Sequence, residues 1–384
     1  MSVFPTIRIA DSFGTPLTET ASFGAPGGEG QATPAFDVVF NCAPGGIGVF
    51  EFTLPGSFDT SLLLEDGRVG IWRSINGRPP YLDNNAIFFI RYIDYGPTST
   101  FVRAYHATRL LDRRIIAYAA GSSYCTKAAA PADDQIKAFF NENMLSGIVA
   151  ADRDGVETYA DVSAWLTKQA NLGQGASIAK SAARRKLLDV CTELAQASAT
   201  AGIYLTFEVV APTESTLELR TYAGQRGVDR RYGTANPVIL SGLRGNLENA
   251  HLIRDFDGTA SFVSAGGQGE EENRLIGTAF DAARAGQSAF GRIEIFRDAS
   301  NVSTQAAVDD EADSQLRAAR PTILFTGDLI ETPGLTRGID FDLGDIVTAE
   351  HPQSGQQFDV RIDMIRESIT PEGRKMACGL RSLT

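Results

Sequence analysis

Residues 358–380 read FDVRIDMIRESITPEGRKMACGL, and the spacing of their apolar side chains indicates the fold class. From Phe358 to Met364, apolar and charged residues alternate without interruption. Successive side chains of a strand point to opposite faces of a sheet. The alternation therefore predicts a β-strand with one face in the core and the other in solvent. A partner strand is predicted at 375–383.

Strand-like segments also fill the N-terminal third of the chain. They are short runs rich in Val, Ile, Phe and Tyr, and Gly, Pro, Asn or Asp separates them. These runs lie at 36–41, 48–54, 69–75, 87–94, 98–105 and 110–118. Residues 203–210 and 216–222 predict a β-hairpin with the loop APTES between its strands. Shorter strands are predicted near 237–241, 260–264, 274–278, 292–297, 322–325 and 345–349.

Three segments have the apolar spacing of helices. The first follows Pro131, where the apolar residues from Ile136 to Met144 form one stripe of a helix. A second helix is predicted over 181–199. A third is predicted over 303–319, and a proline follows closely, as it often does after a helix.

The order of these elements predicts a mainly β chain of the α+β class. Residues 1–120 are expected to form a β-domain, and residues 121–202 a domain of mixed helices and strands. The hairpin at 203–222 has too few strands to stand alone, so we expect it to complete the sheet of 321–384. Residues 223–320 would then be an inserted α+β domain.

Composition excludes some function classes. The 384 residues carry 35 Lys and Arg against 47 Asp and Glu, a net charge of −12, whereas proteins that grip nucleic-acid phosphates are usually basic. Only 3 His and 4 Cys are present, which argues against a metal site built on those ligands. Cys42, Cys125, Cys191 and Cys378 form no C-x-x-C pair, so free thiols in a reducing cytosol are predicted. We expect no secretory signal and no membrane-spanning segment.

The most enzyme-like string is DFDGT at 255–259. It has the pattern of haloacid-dehalogenase-type phosphatases, in which the first Asp is a nucleophile and the second a general acid. Those enzymes place the motif after a buried strand of a βα pattern, whereas here Arg254 precedes Asp255 and no such pattern surrounds it. A β-turn is the favoured interpretation, since Asp-Gly suits one. An EF-hand calcium loop is excluded, because positions 259 and 266 are Thr and Gly.

The remaining motifs favour structural interpretations. The glycine-rich stretch 266–272 lacks the Gly-Lys-Ser/Thr of a P-loop and predicts a turn. Trp72 and Trp165 lie far apart in the sequence, so core packing is favoured over an aromatic sugar-binding platform. The histidines match no catalytic motif, and short basic clusters predict solvated faces or salt bridges. These are His106, His251 and His351, and the clusters at 113–114, 184–186 and 230–231.

Three blocks of sequence together resemble the tail hub proteins of long-tailed bacteriophages, which close the distal end of the tail tube. The first block is FFIRYIDYGPTSTFVRAYHATRLLDRRIIAY at 88–118. The second runs from Ile239 to Arg274 and includes ILS, RGNLEN and GQGE. The third is DLGDIVT at 342–348, followed by the strand pair of 358–380. The three blocks occur in the order and at the spacing of that family. Together they span most of the chain.

The resemblance implies two tube-like antiparallel β-barrel domains, one N-terminal and one built from the hairpin and the C-terminal strands, with two mixed α/β domains inserted or flanking. Three chains would form a homotrimeric ring of six barrels that adapts the sixfold tail tube to a threefold tip. The implied role is structural, with no catalytic, cofactor-binding or metal-binding residues. It implies a place at the tail tip of the virion, after assembly in the host cytoplasm. The implied partners are the distal tail or tail tube protein, the tape measure protein and the tip or fibre proteins, with DNA only in transit during ejection.

In such a ring, part of the net charge of −12 is expected to line the channel, where like charge weakens any grip on DNA phosphates. Two other functions stay open. A receptor- or glycan-binding tip module would carry an exposed aromatic cluster near Trp72 or Trp165. A phosphatase would use Asp255 as its nucleophile.

Overall fold

A mainly β architecture is observed, as predicted. The structure, a computed structural model, is 46% strand and 19% helix. It describes residues 5–19, 35–75, 79–116, 125–145, 164–182, 184–300, 302–351, 353, 355–370 and 373–383.

The described residues form twenty-one strands in four sheets. The first seven are β1 (Thr6–Ala10), β2 (Pro16–Glu19), β3 (Phe36–Asn41), β4 (Val49–Pro55), β5 (Arg68–Arg73), β6 (Tyr81–Tyr95) and β7 (Ser99–His106). The next five are β8 (Cys125–Pro131), β9 (Leu166–Lys168), β10 (Ser177–Ala182), β11 (Leu205–Val210) and β12 (Leu217–Ala223). The last nine are β13 (Ile239–Ser241), β14 (Leu247–Asp255), β15 (Phe262–Gly266), β16 (Ile276–Phe280), β17 (Glu294–Asp298), β18 (Thr322–Leu329), β19 (Ile346–Glu350), β20 (Gln357–Thr370) and β21 (Gly373–Ser382). The α-helices are α1 (Ala132–Met144), α2 (Leu187–Thr200), α3 (Ala282–Ala285) and α4 (Gln305–Ala318), and short 3₁₀ turns lie at Thr60–Leu62, Ala107–Arg113, Gly242–Arg244 and Glu271–Asn273.

One sheet of thirteen strands joins the two ends of the chain. Its order is β14-β18-β21-β20-β3-β4-β7-β6-β5-β1-β2, with β19 beside β20 and β13 beside β19. The N-terminal and C-terminal strands meet at β3 and β20, which pair antiparallel from Phe36 with Ile369 to Asn41 with Met364. The two ends of the sequence therefore share one hydrogen-bonded sheet.

Strand β20 makes this junction, because one of its edges serves two partners in succession. Residues 357–361 pair with β19, and residues 364–369 pair with β3. Between them, the register with β21 shifts from Ile362 to Met364. Such a shift is a β-bulge, in which one strand has an extra residue, and it reverses which side chains face the core. Beyond it, Ile365 is fully buried while Met364 is only half-buried.

Two expectations for this sheet are wrong. Arg361 and Asp363, predicted to face solvent, are each only 6% exposed. A second layer covers that face of the strand, and the guanidinium of Arg361 lies 3.5 Å from the centre of the Tyr204 ring. The two separate barrels are not observed either: the described strands follow an open path that closes no barrel. Since β20 pairs with strands from both ends of the chain, the halves form one sheet.

The apolar interior of this sheet is also continuous. Phe50 and Phe88 from the N-terminal strands belong to the same buried cluster as Phe325 and Phe341 from the C-terminal part. The rings of Phe50 and Phe88 lie 5.5 Å apart, centre to centre. Each fully buried phenylalanine side chain contributes about 2–3 kcal/mol through the area it removes from water. Packing therefore reinforces the connection that β20 makes.

The hairpin of β11 and β12 forms as predicted, but its neighbours differ from the prediction. Strands β11 and β12 pair antiparallel, and β12 pairs in parallel with β9 rather than with a C-terminal strand. All six residues of β11 are buried, because α2, β6 and the 3₁₀ turn Ala107–Arg113 pack against it. The expectation that the hairpin completes the sheet of 321–384 is wrong. Strand β14 takes that place, beside β18.

The predicted helices are present, with one difference in where they begin. Helices α1 and α4 match the predictions after Pro131 and over 303–319. Helix α2 begins at Leu187 rather than 181, because residues 177–182 form β10 and pair with β8. Helix α4 covers one face of a three-stranded sheet, ordered β16-β15-β17, through a small core that contains Val263, Ala279 and Val308.

The four cysteines form no disulfide with one another. Cys42, Cys191 and Cys378 are buried, and Cys125 is half-buried. Burial raises the pKa of the Cys378 thiol to about 12, and it also raises the pKa of Cys42 and Cys191. Thiols kept protonated in this way are poor nucleophiles, so these three cysteines act as small core residues.

His106 is a buried imidazole at the end of β7. It is 7% exposed, and its ring meets Phe88 edge-on with the centres 5.6 Å apart. The backbone N–H of Thr108 donates to its Nδ1 at 3.4 Å. Burial lowers the pKa of His106 from 6.5 to about 4. Between these two pH values the unfolded chain binds a proton that the folded chain does not, so the folded state loses stability as the pH falls.

We predict that His106→Gln removes about 3 kcal/mol of the fall in unfolding free energy between pH 6.5 and about 4. Urea unfolding across that pH range measures the effect for wild type and variant. His251→Gln, at an exposed position of β14, is the matched control and should keep the wild-type slope. If His106→Gln also kept the wild-type slope, the buried neutral state of His106 would be contradicted.

Candidate functional site

Six charged side chains meet where β5, β6 and β20 approach the segment that follows β18. We call them the joint cluster: Arg73, Asp83, Glu331, Arg337, Glu367 and Arg374. They come from both ends of the chain, so their ion pairs cross the connection between the N-terminal and C-terminal strands.

Glu367 on β20 is the centre of the joint cluster, and its side chain is fully buried. Its carboxylate accepts hydrogen bonds from Arg337 at 2.8 Å, from Arg374 at 2.6 Å and from both terminal nitrogens of Arg73. Asp83 on β6 accepts from Nε of Arg73 at 2.6 Å and from Arg337 at 3.1 Å. Two carboxylates thus bridge arginines that lie more than 250 positions apart in the sequence.

The charge balance explains why these groups tolerate burial. Burial alone would raise the pKa of Glu367, but the guanidinium groups of Arg73, Arg337 and Arg374 hold it at about 2. For Arg73, the carboxylates of Asp83 and Glu367 outweigh burial and raise its pKa. Removing one partner of a buried ion pair costs roughly 3–5 kcal/mol, because the remaining charge loses its compensation. The joint cluster therefore fixes the position of the segment after β18 relative to β5 and β6.

The joint cluster is not among the residues that the sequence singled out. A signal for it exists, however, since Glu367 lies between Ile365 and Ile369 at alternate positions of a strand. A carboxylate in an otherwise apolar face indicates a buried charge that needs a cation. The identity of the arginine partners depends on the fold and cannot be read from spacing.

A second set of polar contacts ties the segment after β12 to the C-terminal strands. Arg226 donates to Glu208 of β11 at 2.7 Å and to the carbonyl oxygen of Leu343 at 3.0 Å. Arg230 donates to Asp345 at 2.9 Å. The hairpin is therefore linked to the large sheet through side chains, although the two share no strand pairing.

The DFDGT string begins at Asp255, the last residue of β14, and forms a turn whose residues 255–258 are exposed. The backbone N–H of Asp257 donates to Oδ1 of Asp255 at 2.8 Å, and the hydroxyl of Thr259 donates to the carbonyl oxygen of Phe256 at 2.6 Å. The turn interpretation is confirmed. Strand β14 is an end strand of an antiparallel sheet, so Asp255 does not follow the buried strand that the phosphatase motif requires.

The tryptophans pack as core residues. Trp72 and Trp165 are half-buried against the second apolar cluster of the protein. The guanidinium of Arg8 lies 4.0 Å from the centre of the Trp72 ring, and that of Arg68 lies 5.5 Å from the Trp165 ring. The core-packing interpretation is confirmed. Because both rings are half-buried and faced by arginines, they do not form the exposed cluster that the glycan-binding alternative needs.

The other sequence motifs also have structural roles. Residues 266–272 form the turn between β15 and β16, as predicted. The basic clusters pair with acids, which confirms the salt-bridge interpretation: Arg113 with Asp66, Arg185 with Glu193, Lys186 with Asp112, Arg230 with Asp345, and Arg231 with Asp229 and Asp359. Across the described ranges, no three His, Cys, Asp or Glu residues are grouped to hold a metal ion. No helix in the part that the structure describes is long and apolar enough to span a membrane.

One aromatic surface has no cover within the described chain. The face of the β16-β15-β17 sheet opposite α4 carries Phe262, Phe280 and Phe296, of which Phe280 is 49% and Phe296 58% exposed. Arg292 lies over two of these rings, 4.9 Å from the centre of Phe262 and 5.5 Å from that of Phe280. We call this surface the aromatic face. Exposed apolar surface of this kind is a candidate for contact with another protein.

We predict that Glu367→Gln lowers the free energy of unfolding by about 3–5 kcal/mol, because the buried Arg73 and Arg337 and the half-buried Arg374 lose their shared charge partner. Urea unfolding at neutral pH measures the difference. Glu248→Gln, at an exposed position of β14, is the control and should change stability by less than about 0.5 kcal/mol. A loss of less than about 1 kcal/mol in Glu367→Gln would contradict the importance given to the joint cluster.

The same fold occurs in solved phage tail proteins. The tail protein of Neisseria meningitidis MC58 aligns with 99% of this chain and 97% of its own, with a TM-score of 0.58 and 13% identity. The 43 kDa tail protein of prophage MuSo2 from Shewanella oneidensis covers 98% of both chains, with a TM-score of 0.56 and 10% identity. The prophage tail protein gp18 of Listeria monocytogenes covers 97% of this chain and 94% of its own, with a TM-score of 0.53 and 12% identity. At such identities the likeness concerns the fold.

No curated protein matches the chain. A family model does, and it is described as Siphovirus ReqiPepy6 Gp37-like protein. The match runs over residues 94–379, well over half of the chain, and includes Glu331, Arg337, Glu367 and Arg374 of the joint cluster. The resemblance to phage tail hub proteins is thereby confirmed, and the chain belongs to the family of Siphovirus ReqiPepy6 Gp37-like proteins.

Proposed function

We propose that this chain is a structural hub protein in the tail of a long-tailed bacteriophage. Three copies would form a ring that adapts the sixfold tail tube to a threefold tip and lines the channel for DNA ejection. The observation that supports this most strongly is the match of fold to phage tail proteins along nearly the full length of both chains. Family membership over 94–379 supports the same role.

The proposed layout follows the strands of the large sheet. Residues 1–120 would supply the first tube-like unit, and β13, β14 and β18–β21 the second. Residues 121–202, extended by the hairpin, and the segment between β14 and β18 would form the two mixed domains. Two similar units per chain give six in a trimer, which would match the sixfold tube. Such a ring needs the two units of each chain to keep a fixed position relative to each other. The shared strand β20 and the joint cluster would hold them in that position.

A role without catalysis agrees with how the chain uses its reactive side chains. Asp255 and Asp257 lie in an exposed turn, three thiols are buried with raised pKa values, and His106 is buried and neutral. Buried charges are paired with each other in the joint cluster and in the ion pair of Lys137 with Asp133. No catalytic, cofactor or metal residue is proposed.

The partners and location follow from the same role. We place the protein at the tail tip of the virion, after assembly in the host cytoplasm, in contact with the distal tail or tail tube protein, the tape measure protein and tip or fibre proteins. The aromatic face is the surface we assign to such a tail partner. With a net charge of −12, part of the acidic surface would line the channel and reduce contact with DNA in transit. A ring structure with a neutral or basic lumen would contradict this last point.

We predict that the purified chain is a trimer, with a solution mass three times its 41.2 kDa. Light scattering coupled to size exclusion, over about a hundredfold range of protein concentration, tests this. Phe280→Glu on the aromatic face is the control and should leave the mass unchanged, because that face is assigned to another protein. A monomer at every concentration would contradict the proposed function.

A further inference from the structure

A cleft of about 730 Å³ opens where the ends of α2, α4 and β21 converge. Four arginines line it, together with Tyr204, Gln196 and small or apolar residues. These arginines are Arg317, Arg320, Arg361 and Arg381. We call this feature the arginine cleft. In a chain whose net charge is −12, it is a local concentration of positive charge.

The arginine cleft contains buried donors without acceptors. Arg361 is 6% exposed, and one of its terminal nitrogens donates to the carbonyl oxygen of Gly224 at 2.8 Å. Its Nε has no hydrogen-bond partner among the described residues, and neither does the hydroxyl of Tyr204, over whose ring Arg361 is stacked. A buried donor left unpaired costs roughly 1–3 kcal/mol. Both residues line the cleft. The two oxygens of the buried Asp363 beside Arg381 also lack a hydrogen bond, so the polar groups here are not fully satisfied within the described chain.

The positive charge of the cleft is only partly balanced by the chain itself. Arg381 lies 2.8 Å from Asp363, the acidic side chain paired with these arginines. Arg317 donates through Nε to the carbonyl oxygen of Thr200 at 2.7 Å, a neutral partner. Arg320 is exposed and makes no salt bridge within the described ranges. One carboxylate thus lies among the four arginines, so the cleft can accept a further anion, for which a carboxylate is suited.

The chain also presents a matching acidic element. Glu270, Glu271 and Glu272 lie on the exposed turn between β15 and β16, and within the described structure their carboxylates form no hydrogen bond or salt bridge. We call them the acidic turn. Neighbouring like charges raise each other's energy when no cation compensates them. The acidic turn is therefore an anion without a cation partner in the described structure, and the arginine cleft carries an excess of positive charge.

The two elements lie at opposite ends of α4. Next to the acidic turn, the backbone N–H of Gln268 donates to the carbonyl oxygen of Val302, just before α4 begins. The cleft takes Arg317 and Arg320 from the other end of the same helix. A helix of 14 residues is about 20 Å long. The acidic turn of a chain is therefore too far from its own cleft to fill it.

A threefold ring requires an arrangement of this kind. Around a closed ring each chain meets its neighbours through two different surfaces, which must complement each other. We infer that the acidic turn of one copy binds in the arginine cleft of the next copy. This inference rests on the proposed homotrimer and names the contact that orders its subunits head to tail.

Charge reversal and charge swap test the contact. Arg320→Glu alone and Glu272→Arg alone should each weaken the trimer at least tenfold in its dissociation constant, measured by light scattering over a dilution series. The double variant Arg320→Glu with Glu272→Arg should recover most of that loss, because the pair is restored with opposite polarity. Arg244→Glu, at an exposed position of a 3₁₀ turn, is the matched control and should dissociate like the wild type.

A second measurement separates this inference from the proposed trimer. A labelled peptide of residues 266–275, GGQGEEENRL, should bind the full chain in fluorescence anisotropy. Binding should weaken with added salt, with Gln in place of the three Glu residues, and in the Arg320→Glu variant. Single reversals that leave a wild-type trimer unchanged, or a swap that restores nothing, would overturn the inference while the trimer stands. If the wild type is monomeric at every concentration, the proposed function and this inference both fail. With a trimeric wild type, equal binding of the Gln peptide overturns the inference alone.

Discussion

Strand β20 is the constraint on which the rest of the structure depends. Its single edge pairs first with β19 and then with β3, so the C-terminal strands are continuous with the N-terminal ones. The register shift at 362–364 turns the second half of the strand over and directs Glu367 into the interior. A buried carboxylate needs compensation, and it comes from Arg374 on the adjoining strand, from Arg337 and from the distant Arg73. One irregularity in one strand thus explains both the joined sheet and the joint cluster.

Sequence patterns predict the local elements of this chain well. The stripe from Ile136 to Met144, the hairpin at 203–222 and the turn at 255–259 all form where the residues place them, because each depends on neighbours within a few positions. The pairing of strands that lie far apart in the sequence is not predicted by these patterns. The sequence pattern places the hairpin in the sheet of 321–384, yet β14 pairs there, because many strands have similar apolar spacing and only packing selects among them.

The candidate site was harder to predict than the elements for a related reason. The alternation from Phe358 onward predicts a solvent face for Arg361 and Asp363, but it carries no information about a second layer such as the one that Tyr204 contributes. Glu367 between two isoleucines does signal a buried charge, whereas its three arginines could be any of 29 Arg in the chain. Single buried polar residues can therefore be recognised in the sequence. Which of them pair with each other becomes clear only from the three-dimensional structure.

The charged residues of this protein serve assembly at two scales in this account. Inside the chain they connect the two ends of the sheet, and at its surface the arginine cleft and the acidic turn connect one copy to the next. Electron microscopy of the purified chain tests the central claim, the threefold hub, most directly. The account predicts averaged views of a ring with threefold symmetry and six similar lobes around a central channel. Views of isolated single chains, or of an assembly without a threefold axis, would contradict it.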